Sequence, residues 1–359
     1  MRQTSESRFY PDLESLRGIA SLWVVVGHTY LIAGEAWRSA AKGKALRMFL
    51  DTALNPQPAV LLFFVLSGFV LGCLLDKSAV TSLPSYARYL FRRLFRLAPA
   101  SWASVLFAAM LAGGAAYSLQ EIFEAAIFVS FQPNAVLWTM QIELLASAVL
   151  PLLFWISRRC GFWINAAVFA LLAFATLSFS LPLFVQFLVF FHAGLLVSHV
   201  PEKWPNRISA LGSVIIILSA IAILWLPEFI GGPSRPLHYS KWQHWLWSEI
   251  LPTFLMVYLV VVRRAGPLHN IMEARLFRFL GTVSFGIYLL HLPVLYATVR
   301  MLHGLHQHDG LRGALIALIL TVLFTIPLAY LLHRFIERPC IEIGRKVSGI
   351  GQTSPIPNT

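Results

Sequence analysis

The sequence predicts an all-α protein, a polytopic membrane helix bundle of about ten transmembrane helices. Hydrophobic residues make up 58% of the 359 residues and charged residues only 12%, with a mean hydropathy of +0.71. Soluble domains carry about 25% charged residues. The apolar residues also gather in runs that approach the length of about 20 residues that a helix needs to cross the hydrocarbon of a bilayer. These observations exclude an ordinary soluble domain.

Ten apolar segments can be drawn as membrane-spanning helices. They cover roughly residues 16–33, 59–76, 98–117, 136–157, 163–179, 182–200, 209–226, 246–263, 279–301 and 312–334. The apolar segment 120–131 is short and is expected to be an interfacial or re-entrant helix. No internal repeat is evident, which disfavours a transporter built from two related halves. We expect an integral membrane domain over residues 1–346 and a disordered cytoplasmic tail over residues 347–359, with no cleaved signal peptide before the first span.

The basic residues predict the orientation of the chain. The net charge is +12, which could indicate nucleic-acid binding. When both termini are placed in the cytoplasm, however, 20 of the 28 Lys and Arg residues fall on the inner side. This bias follows the positive-inside rule, so it predicts an N-in, C-in protein and no nucleic-acid partner. Cys73, Cys160 and Cys340 show no metal-binding or redox spacing, and no metal site is expected.

Three ionisable residues lie at similar depth inside predicted spans. His28 and His291 each lie 12 residues into a span that starts on the inner side, and Glu143 lies about 7 residues into a span that starts outside. At 1.5 Å per residue, all three reach the outer half or the midplane of the bilayer. Ionisable groups are costly at this depth unless they face a cavity or a partner. The pattern predicts a shared polar cavity in which His28 is a general base. A histidine satisfied by a neighbouring helix is the alternative.

Other residues near these three carry weaker signals. Arg17 opens the span that contains His28 and could be an interfacial anchor. Ser284, Tyr288 and His291 lie within two helical turns, and Tyr288 and His291 share a helix face at i, i+3. Ser67-Gly68 is predicted to let another helix approach closely.

A basic cluster follows the second span and is expected to lie in a cytoplasmic loop. It contains Arg88, Arg92, Arg93 and Arg96. These residues could anchor the loop to the membrane face. At their helical spacing they could also bind a phosphate-bearing ligand through bidentate contacts. The later stretch Ile336-Glu337-Arg338-Pro339 is expected to end a helix.

Taken in order, these stretches resemble membrane acyltransferase family 3, the family of bacterial glycan O-acyltransferases. The resemblance rests on Leu13–Gly18 with His28, Phe63–Phe69, Arg93–Arg96, Trp138–Glu143, Ser284–His291 and Ile336–Pro339. The family's arginine-ten-residues-histidine motif falls on Arg17 and His28, and its arginine-x-x-arginine motif on Arg93 and Arg96. The chain departs from the family at Glu14-Ser15, where Asp-Gly is common, and at Leu144-Leu145, where a carboxylate or an aromatic residue is common. These departures concern the choice of acceptor more than the type of reaction.

The resemblance implies transfer of an acyl group from acyl-coenzyme A on the cytoplasmic side to a glycan or glycolipid acceptor on the other side of a bacterial inner membrane. Acyl-coenzyme A is then a co-substrate, with acetyl-coenzyme A expected first, and no bound cofactor is expected. The implied site comprises Arg17, Arg93 and Arg96 for acyl-coenzyme A, His28 and Glu143 for catalysis, and Ser284, Tyr288 and His291 as candidates for the oxyanion or acceptor site. In this scheme His28 deprotonates the acceptor hydroxyl and Glu143 orients the imidazolium.

Several alternatives stay open at the level of sequence. His28 could itself be acylated before the acceptor binds. A proton-coupled exporter of a small polar or amphipathic molecule is the second class of function, because histidine and glutamate at membrane depth also build proton relays. A catalytically silent sensor or scaffold fits poorly with so many buried ionisable groups. The acceptor, the acyl group and the oligomeric state are not predicted further.

Overall fold

The computed structural model describes residues 11–33, 44–77, 80–113, 116–179, 181–199, 209–229, 243–262, 272–305 and 310–348. These residues are almost entirely helical, and no strand occurs among them, which confirms the predicted all-α class. In chain order the helices are α1 (Pro11–Ala33), α2 (Lys44–Ala53), α3 (Gln57–Lys77), α4 (Leu83–Ala112), α5 (Leu119–Ala126), α6 (Leu137–Ser178), α7 (Leu183–Ser198), α8 (Ala210–Phe229), α9 (Gln243–Val262), α10 (Arg275–Gly304), α11 (Gly310–Leu332), a π-helical segment (His333–Glu337) and α12 (Arg338–Val347). The predicted tail lies outside the described residues apart from its first two positions.

Six stretches of the described residues are long and apolar enough to cross a membrane. They are Asp12–Ala33, Leu46–Lys77, Leu83–Ala112, Leu137–Thr176, Arg275–Gly304 and Leu311–Val347, and Phe184–Ser198 and Leu211–Leu226 are shorter apolar helices. Each of the ten predicted segments coincides at least in part with a helix. The number of ten crossings and the N-in, C-in orientation stay predictions.

A break at Gly161 divides α6 into two helices. Gly161 has φ 74° and ψ 171°, a left-handed backbone conformation that glycine adopts without a Cβ clash. Nearby, the buried Asn165 donates through Nδ2 to the carbonyls of Ser157 and Gly161, each at 2.7 Å, and so satisfies carbonyl groups at the break. The break falls between the two segments predicted as separate spans, 136–157 and 163–179.

The predicted loop for the basic cluster is wrong, because these arginines lie on α4. This helix begins at Leu83, 15 residues before the predicted span starts at residue 98. The Ser82 hydroxyl caps its N-terminus, and the Ser85 hydroxyl accepts a hydrogen bond from the backbone N–H of Ser82 at 3.0 Å. Pro84 follows at the start of the helix, where its missing N–H has no intrahelical role.

The predicted helix stop at Ile336–Pro339 is also wrong. The helix continues through the π-helical segment and then as α12, with Pro339 in the first turn of α12. A proline is tolerated there because the first turn needs no N–H donor. Within the π-helical segment, Nδ1 of His333 lies 2.8 Å from the carboxylate of Glu337.

The described helices divide into two compact units. The first contains the described residues up to 27, 44–72 and 157–284, and the second contains 28–33, 73–156 and 285–348. In the first unit α3 crosses α7, and a Cβ atom on Gly68 would collide with the backbone of Phe191. The close helix approach predicted for Ser67-Gly68 is therefore confirmed. Phe64 stacks on Phe191 beside this crossing, with ring centroids 5.0 Å apart.

The second unit is built around α4. This helix packs against α5, against the π-helical segment and against α12, where a Cβ atom on Gly344 would lie 2.8 Å from Cβ of Phe95. In the same unit α10 packs against α11, where a Cβ atom on Gly286 would lie 2.9 Å from Cα of Ala329. Small residues at these contacts let helices approach closely where apolar burial alone drives little association.

Candidate active site

Two histidines from different helices form a hydrogen-bonded pair in the second unit. Nε2 of His291, on α10, lies 3.0 Å from Nδ1 of His28, on α1. The ring centroids are 5.0 Å apart and the ring planes are inclined by 38°. His291 is fully buried, whereas His28 is only partly buried. Of the two imidazoles, His28 is therefore the one that a substrate can reach.

Hydrogen bonding assigns a direction to this pair. Nδ1 of His291 lies 2.7 Å from the backbone carbonyl of Tyr288, and a carbonyl only accepts, so Nδ1 donates. In neutral His291 the lone pair then lies on Nε2, which accepts a hydrogen bond from Nδ1 of His28. Neutral His28 consequently carries its own lone pair on Nε2. That nitrogen can take a proton while Nδ1–H continues to donate to His291, an arrangement that favours a general base.

Tyr288 and Ser284 occupy earlier turns of α10. The Tyr288 ring is buried, and its centroid lies 5.7 Å from that of His291. Ser284 is also buried, and its hydroxyl donates to the carbonyl of Gly281 in its own helix at 2.8 Å. This local bond occupies the Ser284 proton that an oxyanion would need. Of the two residues, Tyr288 is therefore the better placed beside the histidine pair.

Glu143 forms a buried ion pair with Arg93. Nη2 of Arg93 donates to Oε1 of Glu143, and both side chains are about nine-tenths buried. Nε of Arg93 also donates to the hydroxyl of Ser147 at 3.0 Å, and that hydroxyl donates to the backbone carbonyl of Glu143 at 2.7 Å. The structure thus pairs Arg93 with Glu143. Arg93 was expected to bind acyl-coenzyme A, and Glu143 was expected to orient His28. Nδ1 of His28 lies beside Nε2 of His291.

The other two arginines of the expected acyl-coenzyme A site are more accessible than Arg93. Arg96 is partly buried on α4, three positions after Arg93. Arg17 is partly buried on α1, eleven positions before His28 and so about 16 Å from it along the helix axis. Arg88, in the first turns of α4, is exposed, and its Nε donates to the carbonyl of Pro84 at 3.3 Å.

Sequence reasoning missed Asn134, which precedes α6. Its side chain is buried, and Nδ2 donates both to the hydroxyl of Ser104 at 3.1 Å and to the backbone carbonyl of Leu289 at 2.9 Å. A signal for this contact was available in Pro293, which deprives the carbonyl four residues before it of a helical partner.

A second buried carboxylate, also missed, lies in the first unit. Glu249 on α9 is fully buried, and its Oε2 accepts from Nε2 of Gln57 at 2.9 Å. The described part of the chain contains no group of three or more His, Cys, Asp or Glu side chains that could hold a metal ion.

The family model of the acyltransferase domain, family 3, matches residues 10–334 of the chain, nearly its whole length. The match includes every residue of the expected site. No curated protein and no solved structure matches the chain.

Proposed function

The chain belongs to membrane acyltransferase family 3, and from this we propose that it transfers an acyl group from cytoplasmic acyl-coenzyme A to a hydroxyl of an extracytoplasmic glycan or glycolipid. Acetyl is the acyl group we propose first. The observation that carries the proposal is the hydrogen-bonded pair of His28 and His291, which provides a basic imidazole nitrogen on a partly accessible side chain. We place the protein in a bacterial inner membrane with both termini in the cytoplasm, in keeping with its basic segments.

His28 carries out the proton transfers of the proposed reaction. Its Nε2 takes the proton of the acceptor hydroxyl while the acceptor oxygen forms a bond to the thioester carbonyl carbon. The carbon–sulfur bond then breaks, and the sulfur takes the proton from Nε2, which releases coenzyme A as the free thiol and restores neutral His28. General base catalysis of this kind contributes about a hundred- to ten-thousand-fold to a rate.

His291 takes the orienting role that sequence reasoning assigned to Glu143. Its Nε2 accepts from Nδ1–H of His28, and its own Nδ1–H is held by the Tyr288 carbonyl. His291 is a neutral counterpart of the carboxylate that orients the histidine of a catalytic triad. Tyr288 is the proposed donor to the oxyanion, because its ring lies next to His291.

We propose that Arg96 and Arg17 make the first contacts with the phosphates of acyl-coenzyme A, since both are more accessible than Arg93. Arg93 is held by Glu143 and Ser147, so its guanidinium is oriented before any ligand arrives. An arginine fixed in this way binds a phosphate with less loss of side-chain freedom.

The central test compares the intact protein with His28→Ala and with His303→Ala, which removes an exposed histidine near the end of α10 as a matched control. Purified proteins are given acetyl-coenzyme A and a glycan acceptor, and the free thiol and the acceptor mass are measured. Intact protein and the control should release thiol and add one acetyl group, whereas His28→Ala should do neither. Undiminished turnover by His28→Ala would overturn the proposed role of His28. Failure of the intact protein to consume any acyl-coenzyme A would favour the exporter.

A second measurement tests the proposed donor site. Arg96→Ala and Arg17→Ala should raise KM for acetyl-coenzyme A with a smaller change in kcat, because they remove contacts made equally in the ground and transition states. Arg88→Ala, an exposed arginine on the same helix as Arg96, should leave KM unchanged. Equal effects of all three variants would point to general electrostatics of the membrane face and against a specific site.

A further inference from the structure

Pro293 leaves one backbone carbonyl of α10 without its helical donor. In an α-helix each N–H donates to the carbonyl four residues earlier, and proline has no N–H. Pro293 lies inside α10, so the carbonyl of Leu289 lacks the donor four residues further along the helix. A buried carbonyl in a membrane protein needs a donor from elsewhere, because no lipid chain supplies one.

Asn134 supplies that donor. Its Nδ2 lies 2.9 Å from the Leu289 carbonyl oxygen, and the side chain is only 1% exposed. The second Nδ2 hydrogen goes to Ser104 on α4 at 3.1 Å. The amide therefore ties the segment before α6 to both α4 and α10.

The side-chain amide of Asn134 acts as a hydrogen-bond donor. Both Nδ2 hydrogens are engaged, whereas Oδ1 is buried and makes no hydrogen bond to any residue that the structure describes. A carboxylate of the same shape would offer only acceptors to the Leu289 carbonyl. The contact therefore requires an amide.

The Leu289 carbonyl lies in the turn of α10 that orients His291. It directly follows the carbonyl of Tyr288, which accepts from Nδ1 of His291, and His291 is two positions further on. We propose that Asn134 is a positioning residue for the pair of His28 and His291. By holding this turn at the Pro293 interruption, it keeps Nε2 of His291 in line with Nδ1 of His28. The inference rests on the proposed function for its effect on turnover.

The test uses two substitutions of Asn134 and a matched control. Asn134→Asp keeps the shape and removes the donors, and Asn134→Ala removes the whole amide. Asn165→Asp is the control, because Asn165 is another buried asparagine whose Nδ2 donates to backbone carbonyls at a helix break, there at Gly161. Steady-state kinetics with acetyl-coenzyme A and thermal melting in detergent are measured for all three.

Both Asn134 variants should lower kcat about ten- to a hundredfold, because a small misplacement of a catalytic group costs about that much. KM for acetyl-coenzyme A should stay unchanged, since the donor-binding arginines are untouched. Asn165→Asp should keep the kcat of the intact protein even where it lowers the melting temperature. Wild-type kcat in both Asn134 variants would overturn the proposal. An equally large loss of kcat in Asn165→Asp would also overturn the proposal, because general destabilisation would then explain the loss in the Asn134 variants.

A rescue distinguishes positioning from packing. Pro293→Ala restores an N–H that can donate to the Leu289 carbonyl, so the double variant Asn134→Ala with Pro293→Ala should turn over faster than Asn134→Ala alone. A double variant slower than Asn134→Ala would contradict the proposal.

Hydrogen exchange separates a failure of this inference from a failure of the proposed function. Asn134→Asp should speed amide exchange over residues 287–294 of α10, and Asn165→Asp should not. If the intact protein consumes no acyl-coenzyme A, the proposed function fails, while unchanged exchange in α10 would overturn the role of Asn134 by itself.

Discussion

His291 receives a hydrogen bond from His28 over 3.0 Å and passes its own to the Tyr288 carbonyl over 2.7 Å. These three groups in a row leave Nε2 as the nitrogen of neutral His28 that carries the lone pair. A backbone carbonyl at the end of the row carries no net charge. The arrangement therefore needs no buried carboxylate next to His28, which suits a site at membrane depth, where an unpaired charge is costly.

Replacing His291 separates its accepting role from its bulk. His291→Ala should lower kcat about a hundredfold or more, because Nδ1–H of His28 loses its acceptor. His291→Gln should retain more activity than His291→Ala, since a side-chain amide oxygen can accept in place of Nε2. Steady-state kinetics of the purified variants provide the comparison. Equal activity of His291→Ala and the intact protein would remove His291 from the mechanism.

A double-mutant cycle should detect the interaction between the buried side chains of Arg93 and Glu143. Arg93→Met and Glu143→Leu each remove one member of the buried ion pair, and such losses cost about 3–5 kcal/mol. The double variant should be more stable than either single one, because an apolar pair replaces both charges. Unfolding in detergent measures the three values, with Arg88→Ala as the exposed control. Additive single effects would mean that the two side chains do not interact in solution.

A single methyl group added at the crossing of α3 and α7 should destabilise the protein. Gly68→Ala would place Cβ against the backbone of Phe191, and overpacking of this kind costs about 1–3 kcal/mol. Gly304→Ala is the matched control, since a Cβ atom there meets nothing within 4 Å. Melting temperatures of the two variants should differ clearly. If Gly68→Ala melts with the intact protein, the helices are farther apart than described.

The stability of the first turn of α5 should depend on pH. The Glu121 carboxylate accepts from the backbone N–H and the hydroxyl of Ser118, each at 2.8 Å, and these bonds hold the pKa of Glu121 below its ordinary value. The folded turn thus favours the ionised form. Its stabilisation is present above the ordinary glutamate pKa of about 4.3 and is lost as the pH falls through the lower folded value.

Hydrogen-exchange protection factors over residues 118–122 measure this effect. They should fall in acid for the intact protein and should be lower and independent of pH for Glu121→Gln. Protection that stays constant in the intact protein down to pH values well below the ordinary pKa of glutamate would contradict the capping role of Glu121.

Hydropathy predicted the helical class and the approximate positions of the apolar segments, because burial in lipid requires long apolar runs. It misplaced the start of α4 because it treats arginine as a sign of a loop. Arginine, however, has a high helix propensity, so it is common inside helices. The cap formed by Ser82 and Ser85 was a better guide to the start of this helix than the charges that follow it.

The candidate site was predictable in depth but not in its pairing. Counting residues along each span brought His28 and His291 to the same level, and the structure joins them. Partners also depend on rotation, and each residue turns the helix face by about 100°, so boundary errors of a residue or two conceal which side chains meet. The ion pair of Glu143 with Arg93 is not predicted for a simpler reason. Hydropathy places Arg93 in a loop, and a loop residue is not expected to pair with a carboxylate inside a span.

The crossing of α3 and α7 also has a polar side. At Gly68 the hydrogen that replaces Cβ points toward the carbonyl oxygen of Phe191, and at Gly194 the equivalent hydrogen points toward the carbonyl oxygen of Val65. Each helix thus donates a Cα–H to the other, a weak hydrogen bond worth about 0.5–1 kcal/mol. The two helices therefore contact each other through their main chains at Gly68 and Gly194. A larger residue at either position would remove one of these contacts.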